Sequence, residues 1–404
     1  MPTRREFLNA TAATVGAAIV SRPSYAVGTS AAHQDDWAEI RKQFLIPADR
    51  IYLNVGTLGA QPRPVVDAVI EATRQTAESL PAGVKWEALK SATAALLDCD
   101  PAGLAFPRNA TEAMNFIANG LALATGDHIV TTNHEHIGGL CCWQLIAARH
   151  QLNLTQVDIT AAPTDPARVF EQLTAAATPR TKVLSVSHVT FTTGFVMPVN
   201  QLARWCRERG IIFVVDGAHP PGLMRISMRD TDPDFYASSP HKWLLAPQGT
   251  GLLYMREEWR TRLWPTLASG DWDKLELGAH RFNQLGTIDE SRLAGLQAAL
   301  DFHHTLGPDR VYARIEALRQ RLIARLSAID RVRIASPRAG NGIGMVAFML
   351  AGVPALELQK RLAEQNVRTR VISEYEYGYM RLSPHVYTSF GEIDRVADLI
   401  RGAD

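Results

Sequence analysis

Short β-rich runs that alternate with helical patterns set the strongest limit on what this chain can become. Such runs occupy 128–132, 183–187, 211–215, 234–238 and 252–255. Helical patterns over 138–150, 167–177 and 199–209 separate them, and one over 112–124 comes before. Alternation of this kind predicts an α/β fold: a mostly parallel sheet covered by helices on both faces. Ligands of such sheets bind beyond the carboxyl ends of the strands. Residues that close each run are therefore the first places to look for chemistry.

The last third reads differently. A long amphipathic helix over 309–329 is followed by strand patterns at 344–350 and 367–372, then a helix over 391–401. This pattern suggests a smaller α+β domain. The expected layout is an N-terminal arm over 27–59 that belongs in part to the small domain, a large domain over 60–290, and the small domain over 291–404. The crossing falls near 285–300, inside a connecting helix.

A chain of 404 residues is long enough for two domains with well-buried cores. Its net charge is +1 and no basic tract stands out, which argues against nucleic acid or an anionic membrane as partner. Four cysteines, Cys99, Cys141, Cys142 and Cys206, show neither a CxxC nor metal-ligand spacing, so no metal is expected. The adjacent pair is expected to be buried in a helix.

The chain opens on Thr3-Arg4-Arg5-Glu6-Phe7-Leu8, continues through an apolar run over 10–20, and reaches Ser24-Tyr25-Ala26, a small-x-small cleavage pattern. We read residues 1–26 as a twin-arginine export signal. The apolar run is shorter than the ~20 residues that span a bilayer, so no membrane span is expected. This reading predicts a periplasmic protein and a partnership with the twin-arginine export machinery. That route carries folded proteins, so a cofactor would be loaded before export.

The chemistry centres on Lys242, in Ser239-Pro240-His241-Lys242-Trp243, which lies 26 residues after Asp216 in Val214-Val215-Asp216-Gly217-Ala218-His219. A lysine becomes catalytic when it forms a Schiff base with a carbonyl, and pyridoxal phosphate (PLP) also needs a carboxylate at its pyridinium nitrogen. Lys242 and Asp216 supply both. A solvated lysine and a strand-end cap are the bland reading. Against it, the chain has only seven lysines beside 35 arginines, and this one sits between a strand run and the Pro247-Gln248-Gly249-Thr250-Gly251 turn. Asn109-Ala110-Thr111-Glu112 reads as a helix start, where free N–H groups, the dipole and the Thr111 hydroxyl favour a phosphate. Ser239 and His241 add donors. His188 closes a strand run and is expected at the cofactor. His136, after a short loop, is placed to stack on the pyridine ring, and His219 to reach the ring hydroxyl oxygen.

Taken in order, these segments make the chain resemble class V aminotransferases of PLP fold-type I, and within them the isopenicillin-N-epimerase-like branch. The likeness spans about 52–399. It rests on Tyr52-Leu53-Asn54-Val55-Gly56-Thr57-Leu58-Gly59, Thr111-Glu112-Ala113, Asp216 to His219, Ser239 to Gly251, Phe282-Asn283-Gln284-Leu285-Gly286-Thr287 and Met380-Arg381-Leu382-Ser383-Pro384-His385. The resemblance implies a seven-stranded, mostly parallel sheet and a homodimer with active sites at the interface. It implies that Thr287 reaches the PLP phosphate of the other subunit, and that Asn54 and Arg381 meet the substrate, with Arg381 clamping a carboxylate.

Two departures matter. Desulfurase relatives carry a sulfur-accepting Cys ahead of the carboxylate arginine, and Arg368-Thr369-Arg370-Val371-Ile372-Ser373 has none. Many relatives have Asn where this chain has Phe191, which reshapes the expected carboxylate pocket. The expectation is an exported PLP enzyme acting on the amino group of an amino acid or peptide-derived metabolite. It would be transaminase- or epimerase-like, with siderophore or secondary-metabolite side-chain modification as a role. A PLP lyase or decarboxylase is the alternative within the fold. A catalytically silent binding protein is the alternative outside it, and the presence of both Lys242 and Asp216 argues against that. A nicotinamide dehydrogenase lacks its G-x-G-x-x-G here.

Overall fold

The computed structural model describes residues 36–78, 80 and 84–403. The arginine pair and the rest of the expected export signal lie outside them. The described strands are β1 (Ile51–Tyr52), β2 (Leu104–Ala105), β3 (His128–Thr132), β4 (Asn153–Val157), β5 (Thr181–Ser187), β6 (Ile212–Asp216), β7 (Phe235–Ser238), β8 (Leu252–Met255), β9 (Val332–Ile334), β10 (Val346–Leu350), β11 (Val367–Arg368), β12 (Arg370–Ile372) and β13 (Tyr379–Leu382).

Seven of them form one sheet in the order β2-β8-β7-β6-β5-β3-β4. The neighbours from β7 through β4 are parallel, while β8 runs antiparallel to both β7 and β2. The expected mostly parallel sheet is therefore present. Its inner strands β5, β6 and β7 are buried on both faces, with consecutive residues pointing to opposite sides. Val130, Leu184 and Phe213 join the core on one face; Ile129, Val183 and Val214 join the core on the other.

The edge strand β4 was not anticipated. It reads Asn-Leu-Thr-Gln-Val and is largely solvent-facing, so it has no run of buried apolar residues to announce it. The helix expected over 112–124 is Ala110–Gly120. It begins earlier because the Asn109 side chain accepts the Glu112 N–H at 2.8 Å, and it ends where Leu121 turns extended.

A second sheet, antiparallel, has the order β12-β13-β10-β9. The single strand expected over 367–372 is two. β11 pairs in parallel with β1, and β12 pairs antiparallel with β13. This split ties the N-terminal segment to the C-terminal sheet. The Asn54–Ser383 bridge continues the tie. Cys141 and Cys142 both lie in the helix Ile137–His150, but only Cys142 is buried. Neighbours on a helix point about 100° apart, so one face cannot hide both. No helix among the described residues is long and apolar enough to cross a membrane.

Candidate active site

A cavity of about 250 Å³ opens where β5, β6 and β7 end, against the first turns of helices Ala110–Gly120 and Ile137–His150. Lys242 and Asp216 both line it. Asp216 is the last residue of β6, is buried, and accepts the Ala218 N–H at 3.0 Å. Burial pushes its carboxyl up, and the charge of Lys242 opposes that shift. Lys242 is pushed the other way, down to about 8, chiefly by burial and against the pull of Asp216.

His219 meets this lysine. The Trp243 indole N–H, which can only donate, reaches His219 Nδ1 at 3.0 Å. Burial holds His219 far below its ordinary range, so the ring is neutral. A neutral ring whose Nδ1 accepts carries its proton on Nε2. That nitrogen lies 3.3 Å from Lys242 Nζ, so the ring donates to a free amine. Burial and this donor thus ease loss of the lysine's proton, which the nucleophilic form requires.

The anion end of the cavity is the start of helix Ala110–Gly120. Ala110, Thr111, Ser239 and His241 all line it. The Ala110 N–H donates to Ser239 Oγ at 3.1 Å, which seats that hydroxyl on the helix terminus. A Cβ at Gly138 would collide with Thr111 Oγ1, and one at Gly251 would press on the Asn109 backbone. Glycine at both positions keeps this cradle open. His241 is pushed down to about 4 by burial and by Lys242, so it is neutral at pH 7.

His136 also lines the cavity. It caps helix Ile137–His150, its Nδ1 accepting the Gly138 N–H at 3.1 Å. Burial, helped by Lys242, pushes it down to about 4. Phe191 stands edge-on to it, ring centres 5.1 Å apart. One turn into the same helix, a Cβ on Gly139 would lie 2.6 Å from Asp216 Oδ2. Only glycine lets the helix approach that carboxylate.

Arg381, on β13, is buried at the opposite wall. Its Nη1 donates to the Phe191 carbonyl at 2.7 Å and its Nη2 to Thr57 Oγ1 at 3.0 Å, while Nε has no partner. Burial and the nearby Arg370 push it down to about 9. No carboxylate among the described residues forms an ion pair with it. Arg370 lines the cavity too, paired with Glu374 at 2.5 Å. The N-terminal segment brings Gly56 and Thr57 to this wall, and the Gly59 N–H donates to the His241 carbonyl at 2.7 Å. Phe191 serves Arg381 through its main-chain oxygen, while its ring stands against His136.

Nine of the residues read from the sequence therefore share one cavity: Ala110, Thr111, His136, Asp216, His219, Ser239, His241, Lys242 and Arg381. Three do not line it. His188 needs correcting. Ser187 ends β5 facing the cavity, so the next residue points the other way. His188 meets the Tyr236 hydroxyl at 3.0 Å and lines a separate groove with Met224 and Tyr312. Asn54 is buried, and its side-chain oxygen has no protein partner. Thr287 is exposed. The reading from sequence missed Glu135, Ser187, Thr57, Gly139 and Arg370. Glu135 was signalled only by its place between two histidines after a strand.

The model of the aminotransferase class-V family matches residues 69–396, so the chain belongs to that family, whose cofactor is PLP. It is 33% identical over 392 residues to isopenicillin N epimerase of Streptomyces clavuligerus, covering 90% of this chain and 98% of the relative. It is 30% identical to a probable cysteine desulfurase of Xylella fastidiosa (strain Temecula1), over 85% and 88% of the two chains. Among solved structures, C-DES, in a lysine-to-alanine variant with glycine covalently linked to the PLP cofactor, matches with TM-score 0.81. The identity is 25%, and the match covers 90% of this chain and 99% of that one.

The cavity fits that cofactor on its own chemistry. A helix terminus with two hydroxyls suits a phosphate, the buried Asp216 suits a protonated ring nitrogen, and Lys242 is an amine that burial makes easier to deprotonate. Ala110, Thr111, Ser239 and His241 would hold the phosphate. His136, Asp216 and His219 would hold the ring.

Proposed function

We propose that this protein transforms the amino-bearing carbon of an α-amino acid, or of a peptide-derived amine that keeps a free carboxylate. The observation that carries this reading is Arg381: a buried guanidinium with no acidic partner among the described residues, facing the cavity that holds Lys242. An uncompensated buried cation is costly, and a substrate carboxylate would neutralise it. PLP bound here supplies an electron sink for the carbon next to the substrate nitrogen. Lys242 takes and returns the proton at that carbon. Asp216 keeps a proton on the ring nitrogen, His219 donates from Nε2, and Arg381 fixes the substrate so that one bond faces Lys242.

The reading favours transamination or epimerisation. None of the four cysteines lines the cavity, which leaves no thiol beside the substrate to accept sulfur. Likeness to an epimerase supports the same side. A PLP lyase or decarboxylase remains the second reading, since it uses the same proton-moving lysine.

Product analysis tests this choice. Candidate amino acids are incubated with and without a 2-oxo acid, in deuterated water. Turnover that needs the 2-oxo acid establishes transamination. Deuterium at Cα without net product establishes epimerisation. Release of carbon dioxide or ammonia without a 2-oxo acid overturns both in favour of the second reading.

We also propose that the protein acts as a homodimer, with Thr287 turned toward the partner's phosphate, and that it is exported. The export reading rests on Arg4 and Arg5. Replacing both by Lys is expected to hold the precursor in the cytoplasm, because the export receptor reads the pair. Equal amounts of variant and wild type in fractionated periplasm would count against it.

A further inference from the structure

One buried carboxyl beside the cavity has no role in the chemistry above. Glu135 is 3% exposed. Each of its oxygens meets a hydroxyl, Thr132 Oγ1 at Oε1 and Ser187 Oγ at Oε2, both at 2.6 Å. Thr132 Oγ1 also accepts the His134 N–H at 3.1 Å, which leaves its own hydrogen to go to Oε1. Ser187 is different. It lines the cavity at the end of β5, and it is the register partner of Asp216 on β6.

We propose that Glu135 is a positioning residue: it carries a proton on Oε2 at neutral pH, donates it to Ser187 Oγ, and so turns the Ser187 hydroxyl hydrogen into the cavity.

The argument is a count of hydrogens. An ionised Glu135 is acceptor-only and would capture the hydrogens of both hydroxyls. The cavity would then see a lone pair at Ser187. A second buried negative charge would also stand near Asp216, and two such carboxylates do not both ionise readily. A protonated Glu135 instead passes the polarity along: His134 N–H to Thr132, Thr132 to Oε1, Oε2–H to Ser187, Ser187 to the cavity. Burial pushes this carboxyl up to about 8, with Asp216 adding to the shift and the Ser187 and Thr132 hydroxyls and the Ser187 main-chain N–H opposing it. The other titratable group on a packed element is Tyr375. Its hydroxyl donates to the Glu135 carbonyl at 2.6 Å, and burial holds it neutral. At pH 7 the protonated form therefore dominates, and Glu135 brings no negative charge to the side of the site where Asp216 stands.

The proton itself does not depend on the cofactor reading; the use of the Ser187 hydroxyl does. The experiment separates them. Infrared difference spectra of PLP-free wild type against Glu135→Gln are recorded from pH 6 to 10. A carboxylic-acid C=O band present at pH 7, absent from the variant and titrating near pH 8 is the expected result. Ser187→Ala should shift that band without removing it, which guards against a Glu135→Gln protein that folds poorly. A missing band at pH 7 would overturn the proposal. PLP affinity is then measured by quenching of intrinsic fluorescence. Glu135→Gln, which still accepts from Thr132 and donates to Ser187, should bind within about threefold of wild type. Ser187→Ala should bind about three- to tenfold more weakly, as loss of one hydrogen bond implies. Unchanged affinity in Ser187→Ala would overturn the positioning role. A wild type that binds no PLP would sink the cofactor reading and the role of Ser187 with it, while the infrared band still decides the proton.

Discussion

Lys242→Ala is expected to abolish the visible absorbance of lysine-linked PLP and to lower turnover by about 10²- to 10⁴-fold, the range for losing a general acid–base group. The fold should survive. Lys242 is partly accessible through the cavity it lines, and its Nζ meets His219 Nε2 at 3.3 Å. Alanine therefore removes a reactive group and little packing. The wild-type lysine also predicts a pH profile for cofactor capture. Only the free amine attacks a carbonyl, and burial holds Lys242 down at about 8 rather than its ordinary 10.5. The rate at which PLP-free protein takes up PLP should rise with pH through about 8 and level off above it. A rate still climbing steeply at pH 10 would show an ordinary solvated lysine. Circular dichroism matching the wild type, together with lost colour, assigns the loss to the amine. A Lys242→Ala protein that keeps both colour and turnover would remove Lys242 from the chemistry.

How much of this was legible beforehand follows from where each residue sits. β5 and β6 were readable because both faces are buried, so nearly every residue in them is apolar or small. β4 was not, because an edge strand facing water has a mixed sequence. Lys242 and Asp216 stood out because few reactions need that pair at strand ends. His188 misled for the converse reason: histidine at a strand end looks functional, but whether it faces the site depends on a one-residue register that β5 settles in favour of Ser187. Arg370 and Thr57 reach the cavity only through tertiary pairing. β12 on β13 brings the first, and the Asn54–Ser383 bridge brings the second. Glu135 was hidden by its own environment. Nothing in a sequence marks a carboxyl as protonated until two hydroxyls from different elements close on it.

Arg381→Ala is expected to leave PLP bound and to cost kcat/KM on a carboxylate-bearing substrate. Truncating one partner of a buried charge pair typically costs about 2–5 kcal/mol, which is roughly 30- to 5,000-fold at tenfold per 1.36 kcal/mol. The geometry separates this from a structural role. Two of the guanidinium's donors are already used, on the Phe191 carbonyl and Thr57 Oγ1, and these orient it. They do not neutralise it. Burial and Arg370 push it down to about 9, and the charge of Glu374, already paired with Arg370, opposes them only in part, so the cation still lacks an anion of its own. A bound carboxylate supplies that anion, so the loss should vanish for an amine substrate without a carboxylate. Arg381→Lys should recover little, because an ammonium cannot keep the Phe191 and Thr57 contacts while presenting a planar fork. If Arg381 served only to join β13 to the Thr57 segment, the alanine variant would melt at a lower temperature, yet its folded molecules would turn over carboxylate and non-carboxylate amines in the wild-type ratio. That ratio is the measurement that decides, and an unchanged value would redirect the search to substrates whose carboxylate is blocked.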